Sequence, residues 1–173
     1  MPANKQHTKQ QAMIDLWEAH TRYEFEDKDV DSTLATMKDS AHIHNIPTMA
    51  GGNGIDAVRD FYTHSFVFHL PEDTETAVIS RTVGDTQIVD ELVFKFTHTI
   101  EMPWMLPNVA PTGKRVEVPL VVILGIKDGK VTHEHIHWDQ ASVLVQVGLI
   151  SADDLPVVGA ESAKRLEALS TSL

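Results

Sequence analysis

The side chains best suited to chemistry lie in the segment 129–149. Strand-like alternation in this segment places His133, His135 and His137 on one face of a predicted strand. Asp139 follows on the same face. Imidazoles and carboxylates can exchange protons near neutral pH. A fold that directs this face into a pocket would have an active site there, and a fold that exposes it would have a pH-sensitive surface.

Two more polar residues lie on the predicted core face of another strand. Residues 87–100 alternate so that Asp90 and His98 share one face with aliphatic and aromatic side chains. A buried carboxylate is costly unless it is paired. Asp90 is therefore either a general base in an apolar cavity or the partner of Arg81 in an ion pair. His98 is either a proton donor or a core histidine, and Asp139 is either a base or the N-cap of the helix that follows it.

Two His-x-His pairs raise the question of metal binding. His42 and His44 form one pair, and His133 and His135 form another. Alternate residues of a strand lie about 7 Å apart on one face, and chelation also needs a second strand that brings its ligands close. Because no carboxylate-rich cluster accompanies the pairs, we predict no metal and no cofactor. A His-based metal enzyme is the third possibility.

The elements that must position these residues follow from periodicity and turn signals. An amphipathic helix is predicted over residues 9–25, and a short second helix follows with Asp31 or Ser32 as its cap. A glycine-rich turn then opens a helix with Tyr62 on its inward face. Further strands are predicted at 41–48, 77–83, 87–100 and 115–126, and further helices at 140–147 and 160–169.

Composition argues against several classes of function. The 173 residues include 14 Lys and Arg against 25 Asp and Glu, and the formal net charge of −11 repels nucleic-acid phosphates and anionic membranes. The chain has no cysteine and therefore no thiol nucleophile, disulfide or thiolate metal site. Its apolar runs are too short to span a bilayer, and its N-terminal segment lacks the apolar core of a signal peptide. We predict a cytoplasmic protein with no nucleic-acid or membrane partner.

Three motifs occur in an informative order. They are GGNGIDAVRDFY, FTHTIE followed by APTGKRVEVP, and DGKVTHEHIHWDQASVLVQVGL. Over about residues 10–150 this pattern resembles the SnoaL-like polyketide cyclases of the nuclear transport factor 2-like superfamily. The resemblance implies an α+β fold in which a curved antiparallel sheet wraps around N-terminal helices and forms a cone with a cavity. It also implies a cofactor-free reaction in which a cavity carboxylate moves a proton next to a carbonyl, with His98 and Asp139 at the matching positions.

These observations predict one cone domain over residues 1–150 and a tail over residues 151–173 with a short helix. The predicted activity is general acid–base catalysis, of the cyclase, isomerase, lyase or hydrolase type, on a small and largely apolar carbonyl or lactone. The alternative is a non-catalytic protein that binds small hydrophobic ligands. The predicted catalytic residues are Asp90, Asp139, His98 and His135. The predicted substrate-binding residues are His44, Trp104, His133, Phe94, Tyr62 and Trp17. A strand that is apolar on both faces, residues 120–126, predicts a homodimer.

Overall fold

The computed structural model describes residues 2–153 and 155–171. These residues contain one six-stranded sheet and five flanking α-helices. The helices are α1 (Pro2–Arg22), α2 (Val30–Ala35), α3 (Ile55–Phe61), α4 (Gln140–Gln146) and α5 (Glu161–Ser170). The strands are β1 (Met37–Asn45), β2 (Gly51–Asn53), β3 (Glu75–Val83), β4 (Gln87–Thr97), β5 (Arg115–Lys127) and β6 (Lys130–Trp138). Single π-helical turns extend α1 over Tyr23–Asp27 and α3 over Tyr62–Phe66. Among the described helices, none combines the length and the apolar character needed to cross a bilayer.

The strand order is β2-β1-β6-β5-β4-β3. Strands β3 to β6 pair antiparallel with one another, as predicted for the second half of the chain. The pairing of β1 with β6 is parallel, so the sheet is mixed where a curved antiparallel sheet was predicted. Parallel neighbours need a long connection, and here the intervening helices and strands supply it. This pairing places an early strand beside the last one.

Alternation along β4 sets the inner face of the sheet. Ile88, Asp90, Leu92, Phe94 and Phe96 are all buried, in agreement with the predicted inward face. Helix α1 covers this face, and α4 and α5 pack against β5. The fold is α+β, as predicted, with a curved mixed sheet and helices.

Local backbone chemistry sets the turns and the helix starts. Asp128 and Gly129 have φ of 54° and 71°, which gives the predicted two-residue hairpin between β5 and β6. The cap of α2 is Asp29, whose side chain accepts a hydrogen bond from the backbone N–H of Ser32. The prediction of Asp31 or Ser32 as the cap is wrong because both already lie inside the helix, whereas Asp29 has the extended backbone of an N-cap residue.

Candidate active site

A cavity of about 360 Å³ lies between the inner face of the sheet and the helices α1 and α3. Most of its wall is aromatic or aliphatic and includes Phe25, Ile43, Phe61, Phe66, Leu92 and Ile136. Four of the predicted substrate-binding residues also line it, namely Trp17, Tyr62, Phe94 and Trp104. A largely apolar cavity of this size, with a few convergent polar groups, suits a small organic molecule.

Four polar side chains meet at the wall of this cavity. Nε2 of His20 lies 3.2 Å from Oε1 of Glu24 and 3.1 Å from Oε1 of Glu134. The hydroxyl of Tyr62 lies 3.1 Å from the same nitrogen and donates to Oε1 of Glu134 at 3.2 Å. All four residues are buried, and Glu24, Tyr62 and Glu134 line the cavity. We call these four residues the polar cluster.

Three separate elements supply the polar cluster. On α1 and the π-helical turn after it, Met13, Trp17, His20 and Glu24 recur at helical spacing and are all buried. Tyr62 begins the π-helical turn after α3. Single π-helical turns are frequent at functional sites because they redirect side chains that a regular helix would place elsewhere.

An irregularity in β6 decides which of its side chains reach the cavity. One extra residue, Thr132, interrupts the pairing of β5 with β6. Val131 and Glu134 are consequently both buried although they lie three positions apart. From Glu134 onward, Ile136 and Trp138 share the inner face, and the histidines that alternate with them face outward.

The hydrogen bonds of His20 fix its orientation and its charge. Its Nδ1 lies 2.6 Å from Oγ1 of Thr36, whose own hydroxyl donates to the carbonyl of Thr33, so Nδ1 carries a proton and donates to Thr36. Burial alone lowers the pKa of His20, but the charges of Glu24 and Glu134, and hydrogen bonds to both, outweigh burial and raise it to about 10. His20 is therefore an imidazolium at neutral pH.

The protonation of the other members follows from the same surroundings. Burial raises the pKa of Glu24; the charge of His20 opposes this rise, and the charge of Glu134 adds to it. Burial and the charges of Glu134 and Glu24 raise the pKa of Tyr62 well above its usual range, so its hydroxyl keeps its proton. The polar cluster thus combines an imidazolium, two carboxyl groups and a hydroxyl donor.

Asp90 lies in the same cavity, but its oxygens are occupied. Nε and Nη2 of Arg81 donate to its two oxygens at 2.7 and 2.8 Å, and the indole N–H of Trp17 donates to Oδ2 at 2.7 Å. Of the two roles considered for Asp90, the structure contains the ion pair with Arg81. Three donors already bond to this carboxylate and leave few lone pairs free to take a proton from a substrate.

The other predicted catalytic residues lie away from the cavity wall. His98 is fully buried behind the end of β4, where the N–H of Thr112 donates to its Nδ1 at 3.3 Å and burial lowers its pKa. Asp139 is exposed at the start of α4 and accepts from the N–H groups of Ala141 and Ser142 at 2.9 and 3.3 Å. The structure therefore does not bring the predicted catalytic set together.

The strand histidines lie on the outer face of the sheet. His135, His133 and His44 are half-buried there and do not line the cavity. His135 was predicted to be catalytic, and His44 and His133 were predicted to bind the substrate. The physical reason is that the alternating face with Ile136 and Trp138 is more apolar and occupies the interior. The fold thus gives the second of the two outcomes considered for this strand, an imidazole-rich surface.

Sequence reasoning missed three members of the polar cluster, although signals for them exist. Glu134 shares its strand face with apolar Ile136 and Trp138, which is the same signal that singled out Asp90. His20 and Glu24 continue the helical spacing of the apolar face of α1, one helical turn apart. An ionisable residue on an otherwise apolar face was the useful criterion in all three cases.

The ligand atoms of His20, Glu24 and Glu134 lie within 4.8 Å of one another, close enough to bind a metal ion together. Metal ligation requires the neutral form of the imidazole. Because Nδ1 of His20 donates to Thr36 and its pKa is raised to about 10, a proton on Nε2 fills this space at neutral pH and a metal ion would have to displace it.

The sequence profile of the SnoaL-like polyketide cyclases matches residues 8–147. The chain belongs to this family. Family membership supports an enzyme that processes a small molecule. No functionally curated protein matches the sequence.

Solved structures with the same fold are distant in sequence. A candidate SnoaL-like polyketide cyclase from Jannaschia sp. CCS1 is 19% identical with a TM-score of 0.63, over 78% of this chain and 92% of that one. AclR from Streptomyces galilaeus, a candidate hydroxylase, is 18% identical with a TM-score of 0.59, over 96% of each chain. TerC, co-crystallized with polyporic acid, is 14% identical with a TM-score of 0.57, over 79% of this chain and 98% of that one. Identities this low support the fold alone.

Proposed function

We propose that this family member is a general acid–base enzyme that acts, without a cofactor, on a small and largely apolar carbonyl or lactone in the cavity. The observation that carries the proposal is the polar cluster, in which Glu134, Tyr62 and Glu24 face an apolar cavity around the buried charge of His20. Ionisable groups concentrated in a largely apolar cavity are typical of proton-transfer sites.

Glu134 is the proposed base. A carboxylate oxygen of Glu134 takes a proton from the carbon next to the substrate carbonyl, the C–H bond breaks, and its electron pair moves onto the carbonyl oxygen as an enolate. Glu134 then returns the proton to carbon or oxygen, so that no oxidant or reductant is needed. In a cyclase, the enolate carbon instead forms a bond to a second carbonyl carbon of the same molecule, and the oxygen of that carbonyl, now an alkoxide, takes the proton back from Glu134.

Tyr62 and His20 stabilise the charges that this step creates. The hydroxyl of Tyr62, which now donates to Glu134, can turn to donate to the developing enolate oxygen. His20 is a positioning residue, because it does not line the cavity and acts through its hydrogen bonds to Glu24 and Glu134. TerC, which has this fold, was co-crystallized with polyporic acid, and this supports an organic molecule as the ligand.

Deuterium exchange tests the proton-transfer step before the natural substrate is known. Cyclic β-diketones and aryl-substituted lactones serve as probes, and exchange at the carbon next to the carbonyl is followed by NMR in D₂O. We expect exchange that depends on the wild-type protein, roughly a hundredfold slower with Glu134→Gln and at least about tenfold slower with Tyr62→Phe.

The matched control is Glu18→Gln, because Glu18 also lines the cavity but its side chain is 64% exposed. We expect this variant to exchange within about twofold of wild type. Equal rates for Glu134→Gln and wild type would reject Glu134 as the base. Tight binding of probes without exchange would favour the alternative, a non-catalytic binder of small hydrophobic ligands.

A further inference from the structure

The outer face of the sheet carries a cluster of imidazoles that the proposed reaction does not use. His42 and His44 of β1 lie beside His133 and His135 of β6, because the two strands are parallel neighbours with His42 opposite His133 and His44 opposite His135. His137 continues the row on β6 and is exposed. The second strand, which chelation requires and the sequence could not supply, is thus provided by the β1–β6 pairing.

Two of these imidazoles point at each other. Nε2 of His42 lies 2.9 Å from Nε2 of His135, and the ring centroids are 5.1 Å apart. Two neutral rings can face each other in this way only if one nitrogen donates its proton to the lone pair of the other. Two bonds of about 2.0–2.1 Å to one tetrahedral ion would place the nitrogens about 3.4 Å apart, so a shift of roughly half an ångström admits the ion in place of the proton.

A third imidazole stacks on this pair. The ring of His133 lies 5.4 Å from that of His42 and 4.6 Å from that of His135, with interplanar angles of 16° and 26°. Gly125 on β5 makes room for it, because a Cβ there would lie 2.2 Å from Cε1 of His133. Three imidazole rings are therefore gathered on one half-buried patch.

The electrostatic surroundings favour a cation. The rings of His42, His133 and His135 are half-buried, and the formal charge of −11 on the whole chain attracts cations over distance.

We propose that His42 and His135 bind one late first-row divalent cation, of the kind represented by zinc, nickel and copper(II), on the outer face of the sheet. His133 completes the site by rotation of its side chain, and water fills the remaining positions. Imidazole nitrogens are preferred ligands of these ions. The site is independent of the polar cluster, because Glu134 points to the opposite face of the same strand.

Titration calorimetry with zinc chloride on protein free of any affinity tag tests the proposal. We expect saturable binding of one ion per chain, weakened at least about tenfold in His42→Ala and in His135→Ala. His64→Ala is the matched control, since His64 is an exposed histidine paired with Asp60 on another element. Glu134→Gln is the second control. It alters the group of His20, Glu24 and Glu134, which lie close enough to hold a metal ion, and it leaves the outer face intact.

Absence of saturable binding by the wild type would overturn the proposal. Equal affinity in the wild type and in folded His42→Ala and His135→Ala would also overturn it, as would a loss of binding confined to Glu134→Gln. If the alanine variants do not fold, copper(II) paramagnetic resonance of the wild type decides the matter. Hyperfine splitting from at least two imidazole nitrogens is expected, and a spectrum with oxygen ligands only would reject the site.

Discussion

Asp90 and Glu134 are two buried acids with the same sequence signature, and their hydrogen-bond partners give them different roles. Both lie on an apolar strand face and both line the cavity. Arg81 and Trp17 occupy the oxygens of Asp90, whereas Glu134 shares an imidazolium and a phenol with a second carboxyl group. The first arrangement pairs a carboxylate with a cation, whereas the second gathers several acid and base groups at the cavity.

The ion pair predicts the cost of neutralising Asp90. Asp90→Asn removes the buried charged partner of Arg81 and leaves it only the exposed Glu18, in a site where Asp90 is 3% and Arg81 24% exposed. We expect a loss of about 2–3 kcal/mol in the free energy of unfolding, less than for a fully buried pair because water still reaches Arg81. Urea denaturation measures this loss, and deuterium exchange by the folded variant should stay within about tenfold of wild type.

Asp31→Asn is the matched control for this substitution. Asp31 also pairs with an arginine, Arg59, but their side chains are 81% and 51% exposed. An exposed pair contributes little, so we expect less than about 1 kcal/mol. Equal losses in the two variants would contradict the structural role of Asp90. A hundredfold loss of exchange in Asp90→Asn would instead identify Asp90 as the base.

At the residue scale, the sequence predicted the cavity residues that lie on unbroken alternation. Asp90 and Phe94 were found because β4 alternates without interruption along its inner face. Glu134 is not among the predicted residues because the histidines that alternate with it on β6 were expected to face the cavity. The extra residue Thr132 also leaves no clear mark in the sequence, since a bulge depends on the pairing with the neighbouring strand.

At the scale of elements, local signals predicted the helices and hairpins well, whereas one long-range pairing was not predictable. Helix α4 follows a good capping residue, and the β5–β6 hairpin follows from Asp128 and Gly129. The parallel pairing of β1 with β6 joins segments that lie about 90 residues apart in the chain. No periodicity within either strand encodes such a neighbour, and the gathering of the outer histidines depends on it.

Helix α4 provides a test of the role of Asp139. Asn caps a helix about as well as Asp, so Asp139→Asn should change the free energy of unfolding by less than about 0.5 kcal/mol. Asp139→Ala removes the acceptor for the N–H groups of Ala141 and Ser142 and should cost about 1 kcal/mol. Thermal melts of the two variants measure these costs.

Deuterium exchange separates capping from catalysis at Asp139. Because the side chain is exposed outside the cavity, both variants should exchange within about twofold of wild type at a temperature where they are folded. A hundredfold loss in Asp139→Asn with an unchanged melting temperature would restore Asp139 as the base and reject the assignment of Glu134.

At the scale of the whole molecule, the polar cluster links folding to pH. The pKa of His20 rises from an ordinary value of 6.5 to about 10 on folding. Its contribution to stability is therefore complete below pH 6.5 and is lost as the pH rises toward 10. The raised pKa of Glu24 acts in the same direction, because the folded state holds that proton more tightly than the unfolded state does.

We therefore expect the free energy of unfolding to fall between pH 7 and pH 9.5, by up to about 1.4 kcal/mol per pH unit from His20 alone. In His20→Gln this component disappears, so the slope should flatten even though the variant is less stable overall. His64→Gln makes the same change at an exposed position and should keep the wild-type slope. Histidine NMR gives a direct readout, since one ring should remain protonated at pH 9. A wild-type slope in folded His20→Gln, or a His20 ring that titrates near 6.5, would contradict an imidazolium held between Glu24 and Glu134.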